Sequence, residues 1–417
     1  MPGTFSTQKK LVLLANAVEE NLNYIKRADN LFGDLAGKKY GMAVHGYQVD
    51  AGSVNQGLVA HPDVAHQVEH TAYLDNYVTS AQTDMWDDLT NISDFNREMV
   101  DKRSKKLARE VQKAIMNENV FRSAQVAIAS SASYDLLNDC DAALNELSVV
   151  GDRVDFQTPN TVSAIRKTGS NLFLWPEKQR ELYEDASIGY YANADTVSIP
   201  GLPVLDTTGA DAAPTITAKI KVNSTGDTIG VKPINAITGS GTGSIIPGVP
   251  YVVEGLSIVD EGGIETSQQY VIIPVEEIYY DEDGERQTRV AIPELRISAT
   301  GRGWGNPNAH LSAAAIEAAA SGDDVTFTLS IHPGIVVGKK YQIGQYRTTK
   351  SLSFSPQTFK NLPAAKQENV GAGEFITLKM QSAPEILNGI SYFRIDFPFV
   401  CKLLDNRCSV TSYLQIN

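Results

Sequence analysis

Apolar residues recur at three- and four-residue steps along one long stretch, Ser93 to about Val120. Phe95, Met99, Leu107, Val111, Ala114 and Ile115 form a single narrow stripe there. Ser93 is placed to cap the first turn, Asp94 suits the positive end of the dipole, and neither Gly nor Pro interrupts. The pattern predicts a helix of ~38 Å, at ~1.5 Å per residue, with one buried side. Seven Lys or Arg face five Asp or Glu between Asp94 and Glu118, so the other faces read as charged.

The same period marks Thr7 to about Leu31, where Leu11, Leu14, Ala15, Val18, Leu22 and Ile25 share one face before Gly33. Lys9 and Lys10 before Leu11–Leu14 and Ala15-Asn16-Ala17 mimic a secretion signal. The helical period continues through Val18 to Leu22, however, and predicts an amphipathic helix, an arm suited to a partner. Glycines 41, 46, 52 and 57 among Val, Tyr and His predict extended or hairpin structure over Gly37–Tyr77, without an apolar face large enough for a core. Ser133–Leu147 predicts a second amphipathic helix, and residues 160–185 read as helix, turn, strand, Pro176 and helix, an α/β layer.

From about Thr215 to Thr326 the helical period gives way to TITAKIKV, VPYVVEGLSIV, QQYVIIPVEEIYY and RVAIPELRIS, with Asp283-Gly284 as a hairpin turn. Short strands joined by Gly turns predict a small barrel. Beyond it, SLSFSPQTFKNLP reads as a strand entering a helix, and residues 374–414 as a long final set of strands.

Composition narrows this picture. A chain of 417 residues with 42% apolar and 20% charged residues is ordinary for two or three globular domains. A formal charge of −13 argues against a dedicated nucleic-acid binder, although not against a protein that encloses DNA without gripping it. Cys140, Cys401 and Cys408 form no CxxC pair and read as reduced, cytosolic thiols. No run approaches the ~18 apolar residues of a membrane span, so no membrane contact is expected.

Among candidate chemistry, His66-Gln67-Val68-Glu69-His70 matches the HxxEH of inverzincin-type metallopeptidases. There two imidazoles on one helical face hold zinc and the Glu acts as general base. Glu146 lies 76 residues beyond His70, where a third ligand would fall. The Gly-rich context favours a surface histidine cluster instead. Gly239–Ser244 lacks the Lys-Ser/Thr and helix of a phosphate loop, and Gly301–Gly305 has no helix after it. No catalytic residue, cofactor or metal is therefore expected.

The order of parts resembles the tailed-bacteriophage major capsid (coat) proteins, in particular the podophage-type subfamily with an inserted β-barrel domain. FNREMVDKRSKKLAREVQKAI is similar to the family's spine helix. LLNDCDAALNEL, NLFLWPEKQREL and IPGLPVLDT resemble its axial domain, and IIPGVPYVVEGLSIV, QQYVIIPVEEIYY and RVAIPEL its inserted strands. SLSFSPQTFKNLP resembles the return to the main fold, whereas Gly37–Tyr77 matches the extended loop only loosely.

The resemblance implies an α+β, tailed-phage/herpesvirus-type capsid fold. Residues 1–33 would be an N-terminal arm, 34–85 an extended loop, 86–125 a peripheral domain with the spine, and 126–214 an axial domain. An inserted barrel would span 215–326, a return to the main fold 327–360 and C-terminal strands 361–417. It implies a virion shell subunit, assembled in the host bacterial cytoplasm as pentamers and hexamers with scaffolding and portal proteins, enclosing double-stranded DNA without sequence-specific binding. Phe95, Met99, Leu107, Val111 and Ile115 would be the spine's packing residues. The lysine–asparagine crosslinking pair of some relatives is not carried over. Two other classes stay open: a zinc-dependent hydrolase using His66, Glu69 and His70, and a monomeric tail or fibre binding module.

Overall fold

The computed structural model describes residues 18, 22–32, 42–49, 67–84, 94–169, 188–218, 220–222, 228–231, 243–260, 264–280, 286–292, 295, 297–298, 309–311, 325–357, 366–372, 376–385 and 390–416. The longest helix, α1, runs Asp94–Asn119, as the apolar period predicts. Its buried side is wider than the predicted stripe. Leu107, Val111 and Ile115 are buried, and so are Ala108, Gln112, Met116 and Asn119, while Ala114 is half-buried. Adjacent pairs every four residues thus face inward, and α1 packs on the strands Asp75–Asp84, Val275–Tyr280 and Ile390–Leu403. Phe95 and Met99 stand on α1 with side chains outside the described residues, and Ser93 lies outside them as well.

A seven-stranded mixed sheet lies at the centre. Its order is Gln125–Ala129, Ser409–Ile416, Lys340–Thr348, Arg153–Gln157, Ala194–Ser198 and Tyr190–Tyr191, with Val204–Asp206 on the first half of the Lys340–Thr348 strand. The chain's last strand is therefore interior, parallel to Gln125–Ala129 and antiparallel to Lys340–Thr348. Helix α2, Tyr134–Glu146, begins where the Ser133 side chain accepts from the Asp135 amide, and buries Leu136, Leu137, Cys140 and Leu144. Helix α3, Pro159–Gly169, follows the Arg153–Gln157 strand; residues 170–187, where a further strand and helix are expected, lie outside the described set.

Two more sheets flank this centre. In one, the 14-residue strand Ile390–Leu403 pairs with Asp75–Asp84 along one edge and, one after the other, with Ile376–Glu385 and Leu352–Pro356 along the other. The other is six-stranded and is built around Tyr251–Val259. Val275–Tyr280 and Arg286–Ala291 pair antiparallel, while Asp283 and Gly284, the expected turn between them, lie outside the described residues.

Among the described residues the strands of the expected barrel region have an open order, with two hairpins set apart from them, and Val325–Ile331 continues past residue 326. Nor do these strands own a separate core. Tyr251, Val253, Ile258, Val271 and Phe327 belong to the same apolar cluster as Leu107, Val154 and Tyr413. The Val271 amide donates to the Ala124 carbonyl at 3.3 Å and the Tyr413 hydroxyl to the Gly248 carbonyl at 2.7 Å.

Of the predicted N-terminal helix, only residue 18 and residues 22–32 are described; Ile25–Arg27 forms a single 3-10 turn, and Val18, Leu22, Tyr24 and Ile25 are buried in the chain's own core. Leu11, Leu14 and Ala15 of the predicted face lie outside the described residues.

Leu107→Asp would place a carboxylate among α1's core contacts. A loss of about 3 kcal/mol or more is expected, read from chemical denaturation. An unchanged midpoint would show that α1 is not packed in this way.

Candidate functional site

The Lys340–Thr348 strand is buried on both faces beyond its first turn, yet it holds Gln345 and Arg347, neither exposed at all. Alternation puts them on one side, with Phe156 of the neighbouring strand. The Arg347 guanidinium lies 5.0 Å from the ring centres of both Tyr24 and Phe156. It donates to three carbonyls: Arg27 at 2.8 Å, Tyr24 at 3.0 Å and Thr348 at 3.2 Å. Burial lowers its proton affinity and raises that of the Tyr24 hydroxyl. No carboxylate forms an ion pair with Arg347 among the described residues, so aromatic faces and carbonyl dipoles replace a counter-ion.

Around it a polar network closes. Tyr24 donates to Gln345 Oε1 at 2.5 Å, and Gln345 Nε2 donates to Ser409 Oγ at 2.9 Å and to the Asn119 carbonyl at 3.2 Å. Asn119 ends α1: its Nδ2 donates to the Ile115 carbonyl, and its Oδ1 accepts from the Leu403 amide, each at 2.9 Å. Ser123, Ser409 and Thr411 complete the set at 2.9 Å each, and Thr411 also donates to the Val120 carbonyl at 2.7 Å. Asp29 continues the N-terminal stitching through backbone bonds with Leu352 and Phe354 at 2.8 and 2.7 Å.

The sheet's other face is polar as well. Asp141 of α2 accepts from Tyr346 at 2.9 Å and pairs with the buried Arg153. Gly344 leaves room there, since a Cβ would come within 2.4 Å of Gln157 Oε1 and 2.5 Å of Ser412 Oγ. Asp155 accepts from Gln157 at 2.8 Å, and burial lifts its carboxyl to about 7 against the pull of Gln157 and Thr196. At a third place Arg407, fully buried, pairs with Asp405 at 2.6 Å and donates to the Asp260 carbonyl at 2.6 Å. These groups hold segments together, and burial pushes the Cys140, Cys401 and Tyr413 protons upward, away from nucleophilic use.

Of the residues predicted from sequence, Leu107, Val111 and Ile115 join the core beside this junction. The zinc reading requires a helix, whereas Gln67–Tyr73 is a strand paired with Ala43–Val49. Glu69 and His70 therefore point to opposite faces: Glu69 is exposed and bonds His45 Nδ1 at 2.5 Å, while His70 is buried. His66 lies outside the described residues, among which no three His, Cys, Asp or Glu side chains form a metal-binding group. No described helix is long and apolar enough to cross a membrane.

No family model matches the chain, and no curated protein matches it. Solved structures align at low identity. The capsid of Ralstonia phage GP4 is 7% identical over 91% of this chain and 86% of its own, with a TM-score of 0.46. The head structure of Helicobacter pylori bacteriophage KHP40 is 9% identical over 91% and 85%, at 0.44. The capsid of cyanophage P-SCSP1u is 10% identical over 92% and 86%, at 0.42.

Arg347→Met leaves three carbonyls without their donor and is expected to cost about 2–4 kcal/mol, with faster amide exchange across residues 22–31. Unchanged exchange there would contradict the clamp. Asp155 keeps its proton up to about pH 7 when folded but releases it near 3.8, its ordinary value, when unfolded. The folded chain holds the extra proton between those values, so stability is greatest below the window and falls as pH rises through it. Asp155→Asn is expected to flatten that dependence and to stabilise the chain above pH 7, by up to about 4 kcal/mol. Denaturation midpoints measured across pH test this; parallel curves for the two proteins would refute it.

Proposed function

We propose that this chain is the major capsid protein of a tailed bacteriophage, a non-enzymatic subunit whose copies close into an icosahedral shell around double-stranded DNA. The observation that supports this best is the hairpin Ala43–Val49/Gln67–Tyr73, which pairs with no third strand among the described residues. One face, with Val44, Ala72 and neighbouring Leu74, packs on Phe32 and Val400. The other leaves Tyr47 56% and Tyr73 38% exposed. A two-stranded ribbon is marginal alone in water, and its aromatic outer face suits a neighbouring subunit.

The long α1 lying against long antiparallel strands suits the spine of such a subunit, and the central mixed sheet with α2 and α3 suits an axial domain. The open sheet around Tyr251–Val259 would correspond to the podophage-type insertion. In this reading pentamers and hexamers assemble in the host cytoplasm with scaffolding and portal proteins, and the net acidic subunit lets DNA pack without adhering.

Expression with and without the neighbouring genes, followed by sedimentation and negative-stain electron microscopy, tests the proposal. Closed particles of uniform size are expected. Monomers under both conditions would refute it.

A further inference from the structure

Helix α1 turns a row of cations outward. Lys102, Lys106, Arg109 and Lys113 follow one another at steps of four, three and four, with Lys105 beside them, and all five are exposed. At ~1.5 Å per residue the row is ~16 Å long, on the side opposite Leu107, Val111 and Ile115. Lys106, Arg109 and Lys113 make no hydrogen bond or ion pair among the described residues. Like charges at these spacings weaken a helix; Glu98 and Asp101 precede Lys102 and Lys105 by four residues, and Glu110 lies on the flank of the later part of the row.

Helix α2 turns out the complement. Asp135, Asp139, Ala142 and Glu146 repeat the same steps of four, three and four, all exposed, over the same length. Neither Asp139 nor Glu146 has a partner among the described residues. Asp139, Ala142 and Glu146 wall an open groove that Gln268, Val271 and His332 also line. On its floor the buried Gln125 donates to Gln268 at 2.5 Å while its Oε1 has no partner, an acceptor suited to an incoming cation.

We infer that the cation row of α1 on one copy docks against the acidic row and groove of α2 on a second copy of this chain. The spacing reads the same in both directions, so the match holds for parallel or antiparallel helices. Charge decides the occupant: the net charge of −13 makes the exposed cation row exceptional, and its counterpart is present on the same molecule. The rows lie on different elements, so a contact that uses one row from each copy is head-to-tail and leaves the other rows for further copies. This rests on the shell reading for its purpose, though not for its geometry.

The test uses two full-length variants. One reverses α1 (Lys106→Glu, Arg109→Glu, Lys113→Glu) and the other reverses α2 (Asp139→Lys, Glu146→Lys). In sedimentation velocity the wild type is expected to associate at low salt and to dissociate when salt shortens the screening length. Each variant alone should remain monomeric, having like charges on both rows, and an equimolar mixture should associate again. Association of either variant alone at the wild-type level, or a mixture that stays monomeric, would overturn the inference. So would an α1 variant that assembles normally but loses retention on DNA, which would make phosphate the occupant. Should a variant's melting curve show misfolding, Gln replaces each reversed residue, and loss of salt-sensitive association is the expected result. Salt-sensitive oligomers without closed particles would sink the shell reading and keep this contact; closed particles from both variants alone would do the reverse.

Discussion

Arg347, a cation with no carboxylate partner among the described residues, sits where both faces of a sheet are covered, and much of the chain's architecture follows from holding its two terminal nitrogens. Its donors require carbonyls from Tyr24 and Arg27, over three hundred residues away, and its charge needs the Tyr24 and Phe156 rings. The neighbouring Gln345 adds the end of α1 and the last strand through Asn119 and Ser409. A half-satisfied network of this kind would cost more than an apolar core, so the segments are ordered together or not at all. That cooperativity fixes the C-terminal end of α1 through Asn119 and gives the protein a rigid centre.

On the proposed shell reading the surface mediates association: the hairpin's outer face and the two charged helix rows would be completed by neighbouring copies. Individual rim pairs are weak and salt-sensitive. Repetition around a closed shell would nonetheless sum them.

Helices were legible because burial at every third or fourth residue leaves a direct trace: Leu107, Val111 and Ile115 in α1, Leu136, Cys140 and Leu144 in α2. The pairing of Val275–Tyr280 with Arg286–Ala291 was legible because the two runs are close in sequence. The polar junction was not, since an Arg or Gln within YQIGQYRT reads as solvent-facing and nothing local announces its partners at Tyr24 or Asn119. The surface histidine cluster preferred over the HxxEH reading holds only in part: a strand turns adjacent Glu69 and His70 to opposite faces, which leaves Glu69 exposed and buries His70. Strand pairing across long separations likewise hid the continuity of the Tyr251–Val259 sheet with the main core.

Hydrogen exchange on the free subunit and on assembled particles tests the account most directly. Peptides covering Tyr24, Gln345 and Ser409 should be protected in both states, and those covering residues 43–49 and 67–73 should gain protection only on assembly. A hairpin that exchanges equally in both states, or a junction that exchanges freely in the isolated subunit, would contradict a preformed core that joins its neighbours through that ribbon.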